Sequence, residues 1–212
     1  MNIIDLSHTI HPEMVVFPGT EQPILTPANT MEKDGFREMK ITIYSHTGTH
    51  LDAPGHMLEN GLTLDQYPVE QFMGSAVLLD LSNLQSEVID INSLVNYKDL
   101  IAKADFLILR TDWSKYWGHK QYFQGYPVLS SEAANWLLGF RLKGLGVDTI
   151  SIDRMDSKSF PIHYLFLGKG LIIIENLTNL AAIRSQSFLF SCLPLKHENA
   201  DGSPIRAIAI VT

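Results

Sequence analysis

A chain of 212 residues with 45% hydrophobic content can bury a sizeable core, and nothing in that length demands a second domain, so residues 1–212 are read as one. Its net charge of -7, with sixteen Lys and Arg scattered rather than clustered, excludes a nucleic-acid footprint. The first residues form neither a basic nor an apolar stretch, no apolar run approaches bilayer length, and a single cysteine excludes an internal disulfide, which together place the expected chain in the cytoplasm and off the membrane.

In chain order, residues 2–6 are a short apolar opening that predicts a first strand. The segment after it is punctuated by Pro18-Gly19, Pro23 and Pro27, the composition of a surface loop that carries substrate contacts. Phe17, Pro18 and Gly19 are the candidate substrate-binding residues there, with simple packing as the alternative for Phe17. Residues 39–44 alternate apolar and polar, the period of a half-buried strand, and deliver the chain to His46.

The run His46-Thr47-Gly48-Thr49-His50-Leu51-Asp52-Ala53-Pro54-Gly55-His56 holds three of the eight histidines and one carboxylate. Gly48, Pro54 and Gly55 argue against a helix with His46 and His50 on one face, leaving a strand end that enters a tight loop. Four extended residues would hold the two histidines about 13 Å apart, a long reach for one ion, unless Gly48 turns the chain. Asp52 shares a face with His50 in extended backbone, which Pro54 favours at Ala53. Each histidine taken singly is an ordinary loop or core residue; the spacing and the turn residues together point to His46, His50 and Asp52 converging on a metal. Imidazole and carboxylate without thiolate suit zinc, manganese or iron.

Beyond this loop, residues 57–73 have room for a short helix. Residues 76–81 and 106–111 read as buried strands, with a helix over 92–104 between them. Ser130 caps a core helix running to Lys143, whose Ala133, Trp136, Leu137 and Phe140 recur at helical spacing, and Gly144 ends it. Residues 147–152, 171–174 and 205–211 read as further strands, the last following a turn at Asp201-Gly202-Ser203-Pro204. Cys192 lies in apolar surroundings and reads as a small buried residue. Glu175 follows four aliphatic residues at the end of an interior strand, where a carboxylate must be partnered or bind a metal. His163 approaches the same strand through a Pro-containing segment. An ion pair and a loop histidine are the alternative reading of these two.

The run from His46 to His56 closely resembles the HxGTHxDxPxH signature of the metal-dependent cyclase family, whose best known members are bacterial kynurenine formamidases, with isatin hydrolases as relatives. Supporting matches extend over nearly the whole chain: Asp5-Leu6-Ser7-His8, Phe17-Pro18-Gly19, Gly146-Val147-Asp148-Thr149, Ser151-Ile152-Asp153, Glu175-Asn176-Leu177 and Asp201-Gly202-Ser203-Pro204. The resemblance implies an α/β fold, a swivelling β/β/α domain with a mixed β-sheet core and outer helices, assembled as a homodimer or homotetramer. It implies that His46, His50, Asp52, His163 and Glu175 bind one or two divalent ions per subunit, zinc or manganese, with Asp52 able to bridge, and that His56 is the catalytic histidine. Thr20 and Asp112 depart from the family pattern on the expected substrate side.

A bound divalent ion polarises a carbonyl and lowers the pKa of its water to about 7, which suits amide hydrolysis. The expected substrate is a small-molecule amide, and the resemblance favours an arylformamidase that converts N-formylkynurenine to kynurenine and formate with His56 as general acid and base. Hydrolysis of isatin or another cyclic amide is the alternative, followed by cyclase or lyase chemistry on the same metal site and a non-catalytic binding protein on this scaffold. A serine hydrolase would need a Gly-x-Ser-x-Gly elbow, which the sequence lacks.

Overall fold

The computed structural model describes residues 1–211. Its strands in chain order are β1 (Asn2–Asp5), β2 (Ile24–Asn29), β3 (Glu38–Thr42), β4 (His50–Asp52), β5 (Met73–Asp80), β6 (Val88–Ile89), β7 (Phe106–Arg110), β8 (Val128–Leu129), β9 (Gly144–Val147), β10 (Ile172–Glu175), β11 (Ser187–Ser191), β12 (Gly202–Pro204) and β13 (Ile208–Val211). The helices are α1 (Met31–Asp34), α2 (Lys98–Ile101), α3 (Ser131–Leu137) and α4 (Pro161–Leu167). Nine strands join in the order β1-β13-β11-β5-β7-β9-β10-β4-β12. The β5–β7, β7–β9 and β9–β10 pairings are parallel and the flanking ones antiparallel, the mixed α/β sheet that was expected.

Alternation along the central strands sorts their side chains into two cores. Val77, Leu79, Leu107, Leu109, Leu145 and Ile173 pack with α2, α3 and α4 on one face. Ala76, Leu78, Phe106, Ile108, Ile172 and Ile174 face the other way, against Leu6, Leu51, Phe188 and Phe190. Burying each large aliphatic side chain contributes about 1.5–3 kcal/mol, so a strand lined on both sides is held firmly. Glu175 continues the face of Ile173, and β10 pairs with β4 so that Glu175 lies opposite His50 and Ile173 opposite Asp52. Cross-strand partners share a face. The sheet register alone therefore gathers His50, Asp52 and Glu175 on the helix side.

Several elements differ from expectation for local reasons. The helix expected to Lys143 stops at Leu137, its last turn tightening as Gly139 N donates to Trp136 O at 3.1 Å. Gly144 belongs to β9, where a Cβ would lie 2.7 Å from Ile172. The helix expected over 92–104 is two 3-10 turns followed by the four residues of α2, and residues 57–73 hold only 3-10 turns, split by Pro68. β9 ends at Val147, and residues 148–152 turn instead, with Thr149 Oγ1 donating to Ser151 O at 2.8 Å. The turn expected at 201–204 is in part an edge strand, β12, paired with β4. Residues 39–44 were expected to be half buried, yet all five residues of β3 are exposed, because β2 and β3 form a separate two-stranded ribbon. No described helix is long and apolar enough to cross a membrane.

Candidate metal centre

The loop before β4 folds as its turn residues dictate. Gly48 adopts φ 67°, which reverses the chain between His46 and His50, and Ala53 is extended ahead of Pro54. Pro54 then opens a 3-10 turn, Pro54–His56, that ends on His56. His46 Nδ1 and His50 Nε2 consequently approach Asp52 Oδ1 at 2.7 and 3.3 Å.

The second half of the donor set arrives from α4 and β10. Pro161 occupies the first turn of α4, and Asp153 accepts hydrogen bonds from the backbone N–H groups of Ile162 and His163, at 3.0 Å each, fixing the helix start. His163 Nε2 then lies 3.6 Å from Asp52 Oδ2 and 3.4 Å from Glu175 Oε1, while His50 Nε2 is 3.5 Å from Glu175 Oε2. Three groups result, each with ligand atoms within 4.8 Å of one another: His46/His50/Asp52 and Asp52/His163/Glu175, which share Asp52, and the less buried His46/His56/Asp201. All five residues taken from the sequence meet, across the 123 positions that separate Asp52 from Glu175.

The geometry fits a cation better than it fits ion pairs alone. Each imidazole is anchored through the nitrogen that faces outward: His46 Nε2 to Asp201 Oδ2 at 3.0 Å, His50 Nδ1 to Gly48 O at 2.8 Å, and His163 Nδ1 to Asp153 Oδ2 at 2.7 Å. Such bonds hold the outer nitrogens as donors, so the inward nitrogens present lone pairs once a cation replaces the protons there. Asp52 Oδ2 is buried with no hydrogen-bond partner, an arrangement that costs free energy unless a positive charge meets it. Without thiolates, these borderline and hard donors suit a first-row divalent ion.

The electrostatics agree. Burial opposes charge at His46 and His163, yet Asp201 and Asp52 raise the first to about 10, and Asp153, Asp52 and Glu175 raise the second to about 12. Burial likewise opposes ionisation of Asp52, but the three imidazoles hold its carboxyl well below the usual range. The carboxylates thus draw positive charge inward, as protons or as a cation. His56 behaves oppositely: burial, then the neighbouring His46, lowers its pKa, and its ring centroid lies 3.9 Å from that of His46.

These groups line a cavity of about 450 Å³ together with the apolar Val15, Phe17, Met57, Ile150 and Phe160 and with Tyr44. Phe17 and Thr20 reach this cavity. Pro18 and Gly19 do not line it; they make the turn, with Gly19 at φ 95° and Thr20 N donating to Phe17 O at 2.9 Å. Asp112 was expected on the substrate side, but its carboxylate is turned to Arg110, at 2.6 and 3.0 Å. Asp153 and Asp201 had been given no role by sequence reasoning, although both fall inside motifs quoted for the family. A demand for a partner on each ligand's outer nitrogen would have singled them out.

Comparison with known proteins gives the same picture. The Cyclase family model matches residues 4–154. The kynurenine formamidase of Bacillus cytotoxicus is 30% identical over 206 residues, covering 97% of this chain and 95% of that protein. Isatin hydrolase A from Labrenzia aggregata, solved with benzyl benzoate, superposes with a TM-score of 0.87 at 26% identity, over 100% of this chain and 94% of that one. A predicted metal-dependent hydrolase from Bacillus stearothermophilus superposes with a TM-score of 0.82 at 27% identity, over 98% and 97%. With the signature loop in place, its ligand groups gathered by the sheet register and the likeness running the length of the chain, this protein belongs to the Cyclase family.

Proposed function

We propose that this protein is a metal-dependent amide hydrolase acting on an aryl formamide, with N-formylkynurenine as the substrate to test first. The observation that carries the reading is the inward-facing donor set under an apolar cavity, with every histidine anchored from behind. His46, His50 and Asp52 would hold one ion and Asp52, His163 and Glu175 a second, zinc or manganese. When bound, a divalent cation polarises the substrate carbonyl and lowers the pKa of water to about 7.

The chain's own residues supply the rest. His56, with its pKa lowered, is neutral near pH 7 and able to take a proton. Its Nδ1 faces the Asp201 carboxylate at 3.7 Å, which leaves Nε2 to receive that proton and pass it to the departing amine. Phe17, Ile150 and Phe160 offer the flat apolar surface that an aryl ring needs and keep bulk water from the acyl carbon. Water adds to the carbonyl, the C–N bond breaks, and formate and the amine leave. The likeness to an isatin hydrolase favours a cyclic amide as the second reading, since ring opening needs the same groups.

The reading includes one domain and a homodimer. β1 and β13, the two ends of the described chain, pair with each other in the main sheet. The β2–β3 ribbon pairs Leu25 with Ile41 and Pro27 with Met39 on one apolar face, and Met39 and Ile41 are 49% and 56% exposed. A lone two-stranded ribbon is marginal in water, and a second copy would cover this face. Incubation of the metal-loaded protein with N-formylkynurenine, isatin and a simple lactam tests the activity. Release of formate from the first supports the reading; turnover of the cyclic amides alone selects the second.

A further inference from the structure

Behind the donor set, one buried side chain ties the two halves of the site together. Asn176 follows Glu175 directly, is 2% exposed and adopts φ 58°, a conformation that Asn tolerates better than most residues. Its Nδ2 donates to Gly48 O at 2.9 Å, the same carbonyl that faces His50 Nδ1 at 2.8 Å. Its Oδ1 accepts the hydroxyl of Tyr122 at 2.8 Å, and Tyr122 is fully buried. The Asn176 main chain joins in as well, its carbonyl accepting from Thr49 Oγ1 at 2.6 Å.

These bonds leave little choice of orientation. The Gly48 carbonyl can only accept, so the NH2 end of the amide must point at it, and Oδ1 is then left to accept from the Tyr122 hydroxyl. That carbonyl takes the amide and the imidazole together, so His50 carries its proton on Nδ1 and keeps its Nε2 lone pair, which faces Asp52 and Glu175 at 3.3 and 3.5 Å. The left-handed backbone alone would be served as well by glycine. The side chain is needed only for what it touches, the loop that carries His50.

We propose that Tyr122 and Asn176 are a positioning pair that sets the ring plane and tautomer of His50 through the Gly48 carbonyl, and thereby the cation affinity of the His46/His50/Asp52 half of the site. This inference rests on the reading of His50 as a metal ligand. The carboxylates of Asp153 and Asp201 serve His163 and His46 directly; His50 alone depends on a backbone carbonyl, which an amide just past the end of the neighbouring strand holds in place.

The test compares wild type, Asn176→Gly, Tyr122→Phe and His50→Ala. Zinc affinity is measured by competition with a chromophoric chelator, the ligand field by the visible spectrum of the cobalt(II) protein, and folding by thermal melting of the chelator-treated protein. Asn176→Gly keeps the backbone conformation and should weaken one zinc equivalent about 10–100-fold, with an altered cobalt spectrum. Tyr122→Phe should do the same to a smaller degree, and neither should bring a comparable change in melting. If His50→Ala loses a zinc equivalent while both other variants bind zinc and cobalt as wild type does, the positioning pair is overturned and the metal site stands. If His50→Ala binds zinc as wild type does, the ligand reading itself has failed. Should Asn176→Gly not fold, Tyr122→Phe decides by the same two measurements, and unchanged values overturn the proposal.

Discussion

Replacing Asp148 by Asn should flatten part of the pH dependence of stability. Asp148 is fully buried just after β9; its Oδ1 accepts from Thr111 N and Oγ1 at 2.9 and 2.6 Å, and its Oδ2 has no partner. Burial raises its pKa to about 6 from 3.8, against the opposing pull of the Thr111 hydrogen bonds. A carboxyl with a raised pKa holds its proton more tightly in the folded state. Its contribution to stability is therefore complete below pH 3.8 and is lost as pH rises through about 6. The difference of about two pKa units corresponds to about 3 kcal/mol, as an upper bound, between pH 4 and pH 8. Asparagine keeps the acceptor toward Thr111 and does not ionise. Urea unfolding of both proteins across that range, at equal metal loading, isolates the effect, because every other titration cancels in the difference. The stability of D148N relative to wild type should climb with pH; a difference that stays constant would refute the assignment of a costly buried charge.

Four further outcomes are expected. His56→Ala should retain wild-type metal content while formamide hydrolysis falls about a hundredfold or more, checked by elemental analysis beside steady-state rates. Dialysis against a strong chelator should abolish turnover and lower the melting temperature, both restored by zinc or manganese; an ion present at a thousand times its Kd contributes about 4 kcal/mol. Gly202→Ala should weaken metal binding, since a Cβ there would lie 2.5 Å from His46 Cε1 and 2.8 Å from Leu51 O, and titration with a metal indicator reads the loss. Ile41→Glu should convert a dimer to a monomer with unchanged circular dichroism, and a wild-type mass equal to one chain would remove the dimer from the reading.

Much of the site was legible in the sequence because local spacing carries it. Gly48 and Pro54 announced the turn that lets His46, His50 and Asp52 converge, and four aliphatic residues before Glu175 announced a carboxylate at an interior strand end. What spacing could not carry was the register that sets Glu175 opposite His50, or the α4 start that brings His163 over Asp52. Asp201 and Asn176 act across separations of 155 and 128 residues, where no periodicity links them to the ring they hold, whereas Asp153 lies only ten residues before His163 but across an irregular turn. The ribbon shows the converse: alternation in residues 39–44 signalled a face to be covered, and no described residue buries it, all five residues of β3 being exposed. The helix expected to Lys143 was overestimated because apolar spacing ran on past Leu137, whereas Gly144 is taken up by β9 against Ile172.

The adjacency of β4 and β10 also bears on when the centre can exist. At roughly 5–20 residues per second, a ribosome exposes the first imidazoles several seconds before it releases the strand that must lie beside them. Until then that loop offers His46, His50 and Asp52 alone, with no β10 to pair with β4, and the full donor set belongs to the finished sheet rather than to the nascent chain. A truncated product ending before α4 would lack His163 and Glu175, and with them the second half of the donor set.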